Sequence, residues 1–360
     1  MAKIKNIEFT NFRNFKKYKV IFNKNLNILF GNNGSGKTNI LEGISLLAKG
    51  RGIRNTNITN LIKNKEESFK IKNILEINKN HYDIAIHSHK LNDKYKKIIK
   101  INDDLSKDSL QFLNQSISFL TFLPEMERLF QSSPTSRRNF LDRLIFSGRN
   151  DYNRLLNKYK KLLIERNKVL QNNGYDNNWL SQIEKEISNI GLEIYEARLS
   201  AIQLINDNIN QLKISYKYKI ELQMNDDFFN SELNIDRYIL NLYDSRSFDK
   251  LYGGTKIGPH RSNITAKIDN EYEASLLSTG QQKTIILMIL LAQCNILIED
   301  KNVNPILLLD EIGSHLDTYN RQLLLDMINR FDIQFFLTGT DKNLFSFVST
   351  KAEFYNISIL

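Results

Sequence analysis

Gly31-Asn32-Asn33-Gly34-Ser35-Gly36-Lys37-Thr38 fills every fixed position of the pattern G-x-x-x-x-G-K-[ST]. Leu26-Asn27-Ile28-Leu29-Phe30 before it reads as a buried strand, and Thr38 to Lys49 after it carries Ile40, Leu41, Ile44 and Leu47 at helical spacing. Glycines let successive backbone N–H groups turn inward around phosphates. The helix N-terminus adds the positive end of its dipole. The pattern predicts that Gly31, Asn32, Asn33, Gly34, Ser35, Gly36, Lys37, Thr38 and Asn39 hold ATP, with Lys37 on the β- and γ-phosphates and the Thr38 hydroxyl on Mg²⁺.

Four further segments follow late in the chain. Leu277-Ser278-Thr279-Gly280-Gln281-Gln282-Lys283 opens a long apolar helix, Thr284 to Leu297. Ile306-Leu307-Leu308-Leu309-Asp310-Glu311 is an apolar strand ending in two acids; Asp310 is placed to hold Mg²⁺ through water and Glu311 to polarise an attacking water. Gly313-Ser314-His315-Leu316-Asp317 comes next, and then Phe335-Phe336-Leu337-Thr338-Gly339-Thr340, a strand ending in hydroxyls. Each alone reads as an ordinary helix cap or core strand. In this order behind a phosphate loop they resemble the L-S-G-G-Q signature, Walker B strand, D-loop and γ-phosphate switch of ABC-type ATPases, with Thr279 for the first signature glycine. That resemblance implies Ser278, Gly280, Gln281, Asp317 and Thr340 as nucleotide contacts, and Lys37, Ser278 and Glu311 as the catalytic set. It also implies that the signature serine acts on ATP held by a second copy.

The remaining composition narrows the function classes. The 360 residues suffice for one large domain or two, and 41% hydrophobic content fits a globular protein. Fifty Lys and Arg against forty Asp and Glu give +10, which favours an anionic partner, although the charge is spread widely. Cys294 is the single cysteine, so no disulfide framework forms within the chain, as expected in a reducing cytoplasm. His87 and His89 share a strand face without a third metal ligand. The N-terminus lacks the apolar core of a signal peptide, and the longest apolar run, Ile285 to Ala292, is too short for a bilayer. No membrane role is expected.

Ile4–Phe12, Tyr18–Phe22 and Leu26–Phe30 are predicted strands, followed after the first helix by Phe69–Ile77, Tyr82–Ser88, Lys97–Ile101 and Ile117–Phe122. Lys70/Lys72, Lys90/Lys94 and Lys96/Lys97/Lys100 alternate with apolar residues, as on the wet face of an antiparallel sheet or on a DNA-binding face. Gly50-Arg51-Gly52-Ile53-Arg54 is either an anion contact or a solvated loop. Asp151 to Gln171, and a second run from Leu180 to Leu204, keep three- and four-residue apolar spacing around a turn at Asn172–Asn177. They predict a short antiparallel helical hairpin, the first arm about 30 Å long. Tyr216–Met224 reads as a strand, Ile235–Tyr243 as a helix, and Ile264–Ile268 with Tyr272–Leu276 as a hairpin.

Lys37 and Asp310 are separated by most of the chain, and a helical hairpin interrupts the head, as in the SMC-like branch of these ATPases. More narrowly the chain resembles the RecF family of bacterial DNA replication and repair ATPases. The residues that carry this are Asn11-Phe12-Arg13-Asn14-Phe15, the phosphate loop, Gly50–Arg54, Pro124-Glu125, Ser133-Pro134-Thr135-Ser136-Arg137-Arg138-Asn139-Phe140-Leu141-Asp142, Gly258-Pro259-His260-Arg261, Ser278–Lys283 and Ser314–Asp317. Ser132, Ser262-Asn263 and Asn320 depart from the residues usual there. Glu125 occupies the place of the Q-loop glutamine. The resemblance implies an α/β ABC-type head at 1–112 and 252–360, with an inserted helical lobe at 113–251. It implies a cytoplasmic, slow, DNA-stimulated ATPase that dimerises with ATP, binds double-stranded or gapped DNA, and works with RecR and RecO to help a recombinase load at gaps. The alternatives are an SMC-like structural chromosome protein and a transport ATPase subunit.

Overall fold

A computed structural model describes residues 2–47, 50–91, 94–172, 174, 176–212, 219–226, 228, 234–313 and 316–358. The end of the expected first helix at Ala48-Lys49, the hairpin-turn residues Asn173 and Tyr175, the start of the expected strand at Tyr216–Tyr218, and Ser314-His315 lie outside the described residues. In chain order the elements are β1 (Ala2–Phe12), β2 (Phe15–Ile21), β3 (Leu26–Phe30), α1 (Lys37–Ser45), β4 (Lys70–Ile77), β5 (Asn80–Leu91), β6 (Lys94–Ile101), α2 (Lys107–Ser116) and β7 (Ile117–Phe122). Then come α3 (Pro134–Gly148), α4 (Tyr152–Gln171), α5 (Asn177–Gln211), β8 (Ile220–Asn225), α6 (Ile235–Asp244), α7 (Arg246–Tyr252), β9 (Asn263–Ile268) and β10 (Tyr272–Glu273). The last are α8 (Thr279–Asn295), β11 (Asn304–Leu309), α9 (Thr318–Arg330), β12 (Gln334–Gly339) and β13 (Ala352–Asn356). The chain forms two compact units, 1–127 with 279–360, and 128–278.

The first unit holds two sheets. One is antiparallel in the order β2-β1-β4-β5-β6. Its strands alternate: on β4, Ile71, Asn73, Leu75 and Ile77 are buried while Lys70 and Lys72 are exposed. The buried side of β1 brings Phe9 into stacking with Phe12 and Phe15. Helix α1 packs close to this cluster because Gly43 has no side chain: a Cβ there would stand 2.3 Å from the Phe9 ring.

The other sheet is parallel throughout, in the order β13-β3-β12-β11-β7. Its central strands are continuous apolar runs, as expected for a sheet covered on both faces. Register aligns Phe30 with Gly339, and Leu309 with both Leu337 and Phe122. The C-terminal ends of β3, β12, β11 and β7 therefore form one edge, the usual location of ligands in open parallel sheets. Helix α8 is apolar on every side. With the π-turn that follows, Thr279–Asp300 is long and apolar enough to cross a membrane, yet 83% of its apolar window is buried inside the molecule. It is a core helix.

The second unit is built on the α4–α5 hairpin. Helix α5 runs 35 residues against 20 for α4, because its apolar spacing continues through Ile205 and Ile209 with no breaker. At 1.5 Å per residue α4 extends about 30 Å, as expected of the first arm, while α5 extends roughly 52 Å and passes the expected end of its run at Leu204. Beside it stands a small sheet, β10-β9-β8. Only Tyr272-Glu273 of the expected strand 272–276 pairs; Ala274–Leu276 forms a 3₁₀ turn around the buried Ala274. An insert is expected at 113–251. Strand pairing instead joins β7 to β11 in the first unit, and joins β9 and β10 to β8 in the second.

A buried charge network ties α4, α5 and α7 together. Arg166 Nε donates to Glu184 (3.0 Å), its Nη1 to Asp249 (2.6 Å) and Thr255 (2.9 Å), and its Nη2 to the Leu242 carbonyl (2.7 Å). Arg246 binds the second Glu184 oxygen at 2.6 Å. Arg166→Met keeps the apolar stem and leaves Glu184 short of one partner and Asp249 without its arginine. Chemical denaturation followed by circular dichroism should show a loss of about 3–5 kcal/mol, the range for breaking a buried ion pair on one side.

Candidate nucleotide site

The glycine loop leaves β3 at Phe30 and enters α1 at Gly36. Gly36 has a left-handed backbone, φ 105°, and caps α1 without any side-chain hydrogen bond. The first N–H groups of α1 thus have no side-chain acceptor, which leaves them open to an anion. A Cβ at Gly36 would also stand 2.6 Å from the Phe15 ring, so glycine is required twice over. Ser35 Oγ is buried and has no hydrogen-bond partner among the described residues. Lys37 Nζ folds back onto the loop and donates to the carbonyls of Gly31 (2.7 Å) and Asn32 (2.9 Å). Burial lowers its pKa, partly offset by Glu311 and Asp310.

Asp310 follows β11 and is buried. Its Oδ1 accepts from Thr38 Oγ1 at 3.0 Å and from Thr338 Oγ1 at 2.7 Å. Burial raises its pKa, against the opposing pull of those two hydroxyls and of Arg54 and Lys37. The Glu311 N–H donates to the same Thr338 oxygen at 2.7 Å. Glu311 itself has φ 50°, an uncommon conformation for a residue with a side chain, held by the strand end on one side and the following turn on the other.

The loop at Gly50–Arg54 also faces this edge. Arg54 donates to Asn39 Oδ1 at 3.2 Å and lies 3.7 Å from Glu42, a buried carboxylate that Arg13 grips in a fork with two 2.8 Å bonds. Asn14 accepts from Asn39 at 2.8 Å, which fixes the first turn against α1. Arg51, by contrast, is exposed and donates to Asn57 Oδ1 at 3.4 Å. Glu125, just beyond β7, is exposed.

A separate cluster forms where α8 and α9 begin. The Asp317 side chain caps α9 by accepting from the Asn320 N–H, and the Gly280 carbonyl accepts from Thr284 Oγ1 at 3.1 Å. Asn320 Oδ1 accepts from the same Thr284 hydroxyl at 2.9 Å, so this departure from the usual residue braces the start of α8. Lys283, in the first turns of α8, binds Glu127 at 2.6 Å. Among the described residues, neither Gly280 nor Asp317 has a hydrogen bond or ion pair with 31–38 or 310–311. Ser278 is the last residue of the second unit.

The structure thus joins Gly31–Asn39, Asp310 and Glu311, and leaves Gly280 and Asp317 as a second group. Thr340 is exposed at the end of the strand. Thr338, two positions earlier and fully buried, is the hydroxyl of this strand that bonds Asp310 and the Glu311 N–H. Its signal was a polar residue inside the apolar run Gln334–Gly339. In the second unit, Gly258 and Pro259 are buried, His260 is half-buried and Arg261 is exposed. His260 Nε2 faces the Thr255 carbonyl (2.8 Å), so it carries the proton, and Nδ1 accepts from Tyr159 (2.9 Å). Burial pushes this histidine down to about 4, so it stays neutral.

Comparison with known proteins agrees with this geometry. The family description "RecF/RecN/SMC N terminal domain" matches residues 3–358. The DNA replication and repair protein RecF of Rickettsia prowazekii is 36% identical over 349 residues, covering 95% of this chain and 96% of the relative. That of Rickettsia typhi is 36% identical over 353 residues, covering 96% and 97%. A solved structure of the recombination mediator protein RecF-ATP in the RecFOR pathway aligns with a TM-score of 0.81 at 28% identity, covering 95% of this chain and 92% of the other. The Smc head domain of Pyrococcus furiosus aligns at 0.55 and 17% identity, a likeness of fold. With near-complete coverage by sequence and by structure, the chain belongs to the RecF family, within the wider SMC-like group of P-loop ATPases.

Proposed function

We propose that the protein is an ATP-controlled DNA clamp of recombinational gap repair, which dimerises on ATP and helps a recombinase load, with RecR and RecO as partners. The observation that carries the nucleotide reading is the Asp310 carboxylate, shared by the hydroxyls of Thr38 and Thr338 at the strand ends beside an uncapped helix N-terminus. Relatives named for DNA replication and repair, and a relative solved with ATP, support the biological assignment.

In this reading Gly31–Asn39 bind and orient the ATP phosphates, and Lys37 exchanges its loop carbonyls for phosphate oxygens. The buried, unpartnered Ser35 hydroxyl and the open N–H groups of α1 fit such a guest. Thr38 and Asp310 would hold Mg²⁺: a hydroxyl and a carboxylate oxygen 3.0 Å apart are a hard-cation donor set, and burial already penalises the carboxylate's charge. Mg²⁺ there would neutralise charge on the phosphates. Glu311 orients water and accepts its proton. Thr338 holds Glu311 and Asp310 in one arrangement.

Gly280 and Asp317 form a second group, which fits a composite site in which Ser278, Gly280, Gln281 and Asp317 of one protomer complete the phosphate site of its partner. ATP then binds the dimer preferentially and stabilises it. Because the output is a change of state, turnover is slow and DNA stimulates it.

Glu311→Gln preserves shape and removes the proton acceptor. ATP binding should persist while steady-state hydrolysis falls at least about a hundredfold, the range for losing general-base assistance. Unchanged turnover in the purified variant would remove Glu311 from this role. Lys37→Met spoils the loop, and Ser278→Arg spoils the signature; each alone should be nearly inactive. Equal mixing of the two variants makes half the dimers mixed, with one sound site each, so roughly a quarter of wild-type activity should return if sites act independently. Near-normal hydrolysis by Ser278→Arg alone, with no gain on mixing, would exclude action across an interface.

A further inference from the structure

The antiparallel sheet of the first unit turns one face to the core and the other to solvent. Register across all five strands assembles that solvent face from segments far apart in sequence. One row runs Lys17–Thr10–Lys70–His87–Ile98 across β2, β1, β4, β5 and β6. The next runs Lys19–Glu8–Lys72–Ala85–Lys100. His89 and Lys96 pair beyond the first row. Within these rows six lysines meet one carboxylate, that of Glu8, and Asp83 stands in the row beyond, opposite Ile74.

Lys17, Lys19, Lys70, Lys72 and Lys96 are exposed and Lys100 half-exposed. Among the described residues none of the six has an ion pair, whereas the other end of the face pairs Lys5 and His81 with Glu76. The basic end is uncompensated, and its field reaches its neighbours: His87 is held below the ordinary histidine range by burial and then by Lys100, Lys70 and His89. Among the described residues the face carries no Phe, Tyr or Trp; its only rings are histidines. Phe9, Phe12 and Phe15 point to the core, and Tyr95, paired with Lys90, belongs to the opposite side.

We propose that this lysine face, from Lys17 and Lys19 through Lys70 and Lys72 to Lys96 and Lys100, is a docking surface for the phosphate backbone of duplex DNA. The inference rests on the DNA-binding reading above and names where that contact is made. Five strands at about 4.8 Å spacing set the outer lysines roughly 19 Å apart, close to the width of a duplex. Lysine amines on flexible stems recognise phosphate as point charges and do not read bases. A single-strand site combines such charges with large aromatic platforms for unstacked bases, and among the described residues this face offers no Phe, Tyr or Trp for that purpose. Binding here is therefore sequence-independent, strongly salt-dependent, and selective for duplex over single strands.

The test is fluorescence anisotropy of the full chain with a labelled 30-base-pair duplex over a salt series. Three variants each neutralise one pair: Lys17→Gln/Lys19→Gln, Lys70→Gln/Lys72→Gln and Lys96→Gln/Lys100→Gln. A charge-matched control, Lys160→Gln/Lys161→Gln, alters the exposed side of α4. All six sheet positions are on the solvent face, and unchanged thermal melting verifies folding. The log–log salt slope of the wild type should be about −5, each sheet pair should reduce it by about two, and affinity near 0.15 M salt should fall roughly tenfold or more. The control should match the wild type. A steep wild-type slope that all three sheet variants retain would overturn this surface while leaving DNA binding intact. No duplex binding by the wild type at any salt would overturn both. Tighter binding of a 30-nucleotide single strand, or binding of phosphatidylserine vesicles with none of duplex, would overturn the assignment of duplex DNA.

Discussion

One oxygen of the Asp310 carboxylate accepts hydrogen bonds from two threonines that arrive from different parts of the chain, Thr38 at the start of α1 and Thr338 in β12. The same Thr338 oxygen receives the backbone N–H of Glu311. Three segments are fixed to one another through this pair, and each must arrive in register. Leu309 lies opposite Leu337, so Asp310 falls beside Thr338; a slip of one residue would turn Thr338 to the other face of the sheet. The apolar runs of β3, β11 and β12 set that register. Their packing and the site's chemistry are one constraint.

Burial decides how charge is handled elsewhere. Asp310 is out of water and its carboxylate form is penalised, so hydroxyls and nearby cations hold it. Arg166 is also fully buried, and its donors are engaged by two acids, two hydroxyls and a carbonyl. Neither group could remain charged without these partners. The lysines on the outer face of the antiparallel sheet stand unpaired at little cost, because water solvates them. Their unbalanced sign is available to an anionic partner.

Contiguous features were legible in the sequence. The phosphate loop with its strand and helix, the acids closing β11 and the apolar spacing of α4 and α5 each lie within one stretch, where periodicity is visible. Features that depend on pairing between distant segments were not. Thr338 and Thr340 both end a strand in sequence; only register shows that Thr338 is buried against Asp310 while Thr340 is exposed. Likewise β7 looks like the beginning of the insert until its pairing with β11 is seen. The lysines of β4 and β6 suggested a wet sheet face, but their alignment with Lys17 and Lys19 depends on the β1–β4 pairing, which no local pattern reveals.

Sedimentation velocity of the wild-type chain, without nucleotide and then with Mg²⁺ and a non-hydrolysable ATP analogue, reads the clamp most directly. A monomer that becomes a dimer only when the nucleotide is present is the predicted result. The same sedimentation coefficient in both conditions, at protein concentrations where the analogue is bound, would contradict a nucleotide site completed across two copies of the chain.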